Sequence, residues 1–217
     1  MRPMFLFIAL SILTSCRGVT DLVGANVSPD APHVAVKIMG AGQSNANNPI
    51  IWTQVATDIQ SWTNQPCQWD YSAVSNTCSQ QWANDDMGML TALVNRVKSM
   101  QPDFILWEQG ENDQSTDPIT YANNISVIIA AVKNVDSKAK FVTALDGDFV
   151  NDPDPRDGQK ELVRRGVALM GPDIDALRTP ECTPVNSDGS PNPHFTDPCK
   201  LKEGDAWFNS LKQYIGK

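Results

Sequence analysis

From residue 90 onward the apolar residues switch repeatedly between two periods, and this alternation constrains the fold more than any other feature. Leu90, Leu93, Val94 and Val97 recur at i, i+3, i+4 and i+7, which lays one apolar face along a helix that Gln101-Pro102-Asp103 then closes. Phe104-Ile105-Leu106-Trp107 follows as a strand. Ile125, Ile128, Ile129 and Val132 mark a second helix and Phe141 to Leu145 another strand. Leu162, Val163, Val167 and Met170 predict a third helix, and Trp207, Leu211, Tyr214 and Ile215 a last one. An earlier strand, Val34-Ala35-Val36-Lys37-Ile38-Met39, opens the series. Apolar strands separated by amphipathic helices form a parallel sheet covered on both faces, with ligands bound at the carboxyl ends of the strands. The expected fold class is α/β.

The chain has 217 residues, enough for one ordinary domain, and 41% hydrophobic content, which excludes a disordered, collagen-like or coiled-coil chain. Its 25 acidic against 17 Lys or Arg residues give a net charge of -8. Without a Lys/Arg run, sequence-independent nucleic-acid binding is not expected, because it needs clustered positive charge. We find no internal repeat.

At the N-terminus Arg2 precedes an apolar run from Met4 to Leu13, which ends in Leu13-Thr14-Ser15-Cys16. That run is too short to span a bilayer but suits the apolar region of an export signal. The arrangement resembles the bacterial lipoprotein signal, which implies cleavage before Cys16 and lipid attachment to its sulfur; a plain signal peptide or a buried first strand are the alternatives. The expected layout is a signal peptide over 1–15, a tether over 16–32 and the domain over 33–217. The protein would then be exported to the cell envelope, periplasmic or outer-surface, with the membrane as partner through its lipid. Four cysteines remain, Cys67, Cys78, Cys182 and Cys199. In an exported chain an even set reads as two disulfides, with the local pairs Cys67–Cys78 and Cys182–Cys199 favoured over buried free thiols. No metal site is expected, since there is no Cys-x-x-Cys spacing or nearby histidine pair.

Three polar blocks fall where the sheet should present them. The first strand runs into Gly40-Ala41-Gly42-Gln43-Ser44-Asn45, where glycines let the turn tighten and leave the Ser44 hydroxyl and N–H exposed, as a nucleophile requires. A capping role for Ser44 or Asn45 is the bland alternative. Trp107 to Asp113 leaves a second strand through Gly110, and the Asn112 amide there can donate to an oxyanion, unless Asn112 and Asp113 only satisfy the turn. His194 precedes the final helix. The only other histidine, His33, sits in the tether, so His194 is the sole plausible general base.

Together these blocks resemble the SGNH-hydrolase superfamily, and within it the carbohydrate-esterase branch that includes sialate O-acetylesterase-like proteins. Gly42-Gln43-Ser44-Asn45, Gln109-Gly110-Glu111 with Asn112-Asp113, and His194-Phe195 carry the resemblance across about 160 residues. It implies a three-layer α/β/α sandwich with a parallel sheet of about five strands in a flavodoxin-like order, and ester hydrolysis without metal or cofactor. Ser44 would be the nucleophile, His194 the base and Asp188 the orienting acid. The oxyanion donors would be the N–H groups of Ser44 and Gly88 and the Asn112 amide. Gln43, Gln109, Glu111 and Arg156, the last with Gln159 as an Arg-x-x-Gln pair, would meet the substrate. One departure stands out: Asp188 lies six residues before His194 where the family places its acid three before, a position held by Pro191, so Asp197 or a backbone carbonyl are alternative orienting groups. A Cys182–Cys199 bridge would close the loop carrying Asp188 and His194. Trp52, Trp62, Trp69 and Trp82 are either a sugar platform or core anchors. The expected activity is removal of O-acetyl groups from a carbohydrate, with no obligatory protein partner. A short-chain lipase or thioesterase, or a catalytically silent carbohydrate-binding lipoprotein, are the alternatives.

Overall fold

The structure, a computed structural model, describes residues 35–147, 154–190 and 192–216. The expected signal peptide, Cys16, the tether and His33 lie outside the described residues. Five strands, β1 (Val36–Gly42), β2 (Cys67–Ala73), β3 (Phe104–Glu108), β4 (Lys140–Leu145) and β5 (Leu169–Asp173), form one sheet in the order β2-β1-β3-β4-β5. Every neighbouring pair is parallel. The connections are α1 (Pro49–Thr63), α2 (Ser79–Ala83), α3 (Met89–Met100), α4 (Pro118–Val135) and α5 (Asp154–Arg164), with α6 (Asp197–Leu211) last.

Strand alternation decides which layer each residue joins. Val36 and Ile38 of β1, Phe104 and Leu106 of β3, and Val142 and Ala144 of β4 face one core with Ile51, Trp52, Val55 and Ile59 of α1 and Trp207 and Leu211 of α6. Met39, Ala41, Ile105, Trp107 and Phe141 face the other, with Trp82, Leu93, Val97, Tyr121, Ile125 and Leu162. Because β1 has β2 on one side and β3 on the other, the chain reverses its winding direction between β1 and β3, which opens a crevice at their carboxyl ends.

Three expectations need correction. The third helix ends at Arg164, not beyond Met170, and Met170 instead pairs with Thr143 in β5. Gly166, with φ of 70°, stops the helix in a Schellman arrangement, its N–H donating to Val163 O and that of Val167 to Leu162 O. The Cys67–Cys78 bridge does not form. Cys67 opens β2 and Cys78 lies past its far end, and a seven-residue strand spans about 20 Å, well beyond the reach of a disulfide. Trp52 and Trp82 are fully buried in the two cores, Trp62 packs edge-on against Phe208 and Trp69 stacks on Tyr71, so the four form no platform. The Cys182–Cys199 disulfide is present, with Cα atoms 5.3 Å apart.

Candidate active site

Ser44 stands in the turn that leaves β1. Gly42 is required there: its φ is 136°, and a side-chain carbon would lie 1.8 Å from the Glu108 carbonyl oxygen of β3. That close approach lets the Gln43 N–H donate to Glu108 O at 3.0 Å, locking the turn to the neighbouring strand end. Ser44 is half-buried, and its hydroxyl has no hydrogen-bond partner among the described residues.

The loop after β3 provides the fastening. Gly110 passes so close to β4 that a side-chain carbon would sit 2.0 Å from Asp146 O. Beyond it Glu111 is buried, and its carboxylate accepts from Gln43 Nε2, from Asn45 Nδ2 at 2.8 Å and from Arg178 Nη2. Gln43 Oε1 accepts in return from the Gly110 N–H at 3.2 Å. Asn112, next in the chain, is exposed toward the crevice and donates to Asn76 Oδ1 at 3.1 Å.

The base loop is held from both sides of His194. The Pro193 carbonyl accepts from Asn45 Nδ2 at 3.1 Å and from Arg178 Nη1 at 2.7 Å. Phe195 is buried beneath the Arg178 guanidinium, 5.1 Å from its ring centre, and the Thr196 N–H donates to Cys182 O at 2.9 Å beside the disulfide. Partial burial and the positive charges of Lys200 and Arg178 hold His194 below its ordinary value, which favours the neutral ring a general base needs.

Ser44, Asn112 and His194 converge on one cavity of about 290 Å³, which Gln43, Ser75, Asn76, Glu111, Gln114 and Pro193 complete. Four amide and two hydroxyl side chains line it, together with the Glu111 carboxyl, Pro193 and the His194 ring. Ser75 and Asn76, from the loop after β2, were not anticipated; Asn76 takes left-handed backbone with φ of 60°, which Asn tolerates better than most side chains. Arg178 was missed as well, because apart from Asp175, three residues before it, its partners lie 15 to 67 residues away and no local spacing marks them.

Several expected site residues are elsewhere or otherwise engaged. Asp188 is exposed and its carboxylate accepts from the N–H and hydroxyl of Ser190, so it does not orient His194. Asp197 is ion-paired with Lys200 at 2.7 Å. Gly88 is exposed outside the cavity, its N–H donating to Asp85 O at 2.9 Å within a 3₁₀ turn, so it offers nothing to an oxyanion. Arg156 forms ion pairs with Asp173 and Asp175 at 2.8 and 2.6 Å away from the cavity. Gln109 is fully buried, donating to Asp113, whose carboxylate in turn holds the N-terminus of α2 through Ser79. Gln159 braces the Gln109 and Asp146 carbonyls at 2.9 and 2.7 Å. Gln43 and Glu111 do line the cavity, but their polar atoms are spent on the loops around it.

Beneath this floor lies a second acidic group. Glu108 faces α6, where its Oε2 accepts from Trp207 Nε1 at 3.0 Å, and the carboxyl of Glu203 is its neighbour there. Both are fully buried. Burial, and each carboxyl's charge on the other, push Glu108 up to about 7 and Glu203 well above its ordinary value. Among the described residues no group of three or more His, Cys, Asp or Glu side chains is placed to hold a metal ion.

No family model matches the sequence, and a search of curated proteins gives no match. Solved structures do match. The Bacillus subtilis protein YxiM superposes with a TM-score of 0.63 at 17% identity over 84% of this chain, which spans 58% of that protein. The psychrotrophic esterase EstA of Pseudoalteromonas gives 0.62 at 13% identity, covering 83% of this chain and 99% of the esterase. A family 3 carbohydrate esterase of Talaromyces cellulolyticus gives 0.59 at 14% identity, covering 83% and 98%. The chain has the three-layer α/β/α fold of the GDSL/SGNH hydrolases, as its motifs led us to expect.

Proposed function

We propose that this chain is a serine esterase that removes O-acetyl groups from a carbohydrate. The observation that carries the reading is the convergence of Ser44, Asn112 and His194 on one small amide-lined cavity. Neutral His194 takes the hydroxyl proton as Ser44 Oγ attacks the ester carbonyl carbon. The oxyanion is received by the Ser44 N–H and the Asn112 amide, each worth about 3 kcal/mol of transition-state stabilisation. His194 then protonates the leaving alcohol, and water activated by the same ring hydrolyses the acyl-serine. With Asp188 facing away, the machinery is a Ser–His dyad.

The small volume of the cavity, about 290 Å³, supports an acetyl group over a long acyl chain, and its four amide side chains offer partners to a hydroxyl-rich alcohol. Carbohydrate and acetyl esterases among the structural neighbours agree with that class. Turnover of p-nitrophenyl acetate and acetylated sugars, with p-nitrophenyl octanoate as the comparison, tests the reading. Acetyl esters are expected to turn over faster and Ser44→Ala to abolish hydrolysis; undiminished activity in Ser44→Ala would overturn it. Membrane tethering through Cys16 belongs to the same proposal, and Cys16→Ser is expected to move the protein from the membrane to the soluble fraction.

A further inference from the structure

The base loop has no carboxylate on its histidine, yet it is fastened more firmly than an exposed loop ordinarily is. The fastening is Arg178, whose side chain is only 9% exposed. Its donors reach four separate segments: Nη2 to Glu111 Oε1 after β3 and to Asp146 Oδ1 after β4, Nε to Asp175 Oδ1 after β5, and Nη1 to the Pro193 carbonyl of the base loop. Its planar face covers Phe195 on the other side of His194. Glu111, its strongest partner, holds both side chains that flank Ser44, namely Gln43 and Asn45. Asn45 closes the circuit, since its Nδ2 also donates to Pro193 O. Each loop carrying a reacting group is therefore tied to the other through the same two residues, Glu111 and Arg178.

We infer that Arg178 is a positioning residue of the proposed esterase, coupling the Ser44 turn to the His194 loop through Glu111 and the Pro193 carbonyl in place of an orienting acid on the histidine. The inference rests on the esterase reading. A guanidinium fork serves four acceptors in fixed directions, whereas a lysine ammonium offers one compact charge. Simple neutralisation of buried carboxylates would need only the charge, and coupling needs the fork.

The full chain in detergent, assayed on p-nitrophenyl acetate across pH, separates these roles. Arg178→Lys is expected to fold and to keep the acid limb of kcat/KM in place, while kcat falls about a hundredfold, the cost of a misplacement of about 1 Å, with KM within about threefold of wild type. Arg178→Gln, which also removes a positive charge near His194, is expected to move the acid limb to higher pH. If Arg178→Gln does not fold, Asn45→Ala takes its place: it cuts the second tie to Pro193 and is expected to lower kcat about tenfold with KM little changed. Wild-type kcat in Arg178→Lys, an acid limb unmoved in folded Arg178→Gln, or wild-type kcat in Asn45→Ala would each overturn the coupling. Failure of the esterase reading looks different, because wild type itself would then show no Ser44-dependent turnover.

Discussion

Two buried acidic groups sit side by side under the crevice and solve the same electrostatic problem differently. Glu111, Asp146 and Asp175 are ion-paired with one guanidinium, whereas Glu108 and Glu203 have no ion pair among the described residues and are held neutral by burial; burial pushes Glu111 up to about 7 as well, against the pull of Arg178. Only two residues, Gln109 and Gly110, separate the sides: Glu108 faces α6, whereas Glu111, past Gly110, turns up into the cavity. The ionic group binds loops that carry reacting side chains, so its geometry is set by directional donors. The protonated group joins a strand to a helix far from solvent, where a neutral carboxyl avoids the cost of a buried charge. Both should therefore respond to pH, but only the first to loss of the cation.

The largest effect is expected from Arg178→Ala, which leaves Glu111 and Asp146 without a cation and should lower unfolding free energy in urea by about 3 to 5 kcal/mol. Next is the pH response of the wild-type protein. Raising Glu108 from 4.5 to about 7 means that its contribution is complete below pH 4.5 and is lost as pH rises through about 7, on the order of 3 kcal/mol. Urea titrations at pH 5 and pH 8 should show the higher midpoint at pH 5. Glu203→Gln gives Glu108 an amide neighbour in place of a second carboxyl, and should reduce that pH difference; an unchanged difference would break the contrast between the two groups. The smallest effect is expected from Asp188→Asn, with kcat within about twofold of wild type, since a thousandfold-scale loss attends an acid that does hold the base.

What the sequence disclosed and what it concealed follow from the range of the interactions. The turns at Gly42 and Gly110 were legible because a glycine, an amide and a hydroxyl in a row at a strand end meet a local steric demand. Helices α3 and α4 were legible from apolar periodicity. Strand β2 was not, since Cys67-Gln68-Trp69-Asp70-Tyr71-Ser72-Ala73 lies at the edge of the sheet and lacks an apolar run. The same oversight suggested the Cys67–Cys78 bridge: ten intervening positions look like a short loop until a strand is laid through them. Arg178 and Asn76 were not picked out, because apart from the Arg178–Asp175 pair their partners are brought near only by the folded sheet. Asp188 was assigned by family resemblance although its spacing from His194 departs from the family pattern, and its carboxylate is engaged in its own turn with Ser190.

The central claim is that Ser44 is an activated nucleophile whose base is His194. A fluorophosphonate probe, mapped by mass spectrometry on the full chain, tests it without requiring the natural substrate. The account predicts a single adduct on Ser44 that is lost in His194→Ala; a folded wild-type protein that stays unlabelled, or labelling of Ser44 undiminished in His194→Ala, would contradict it.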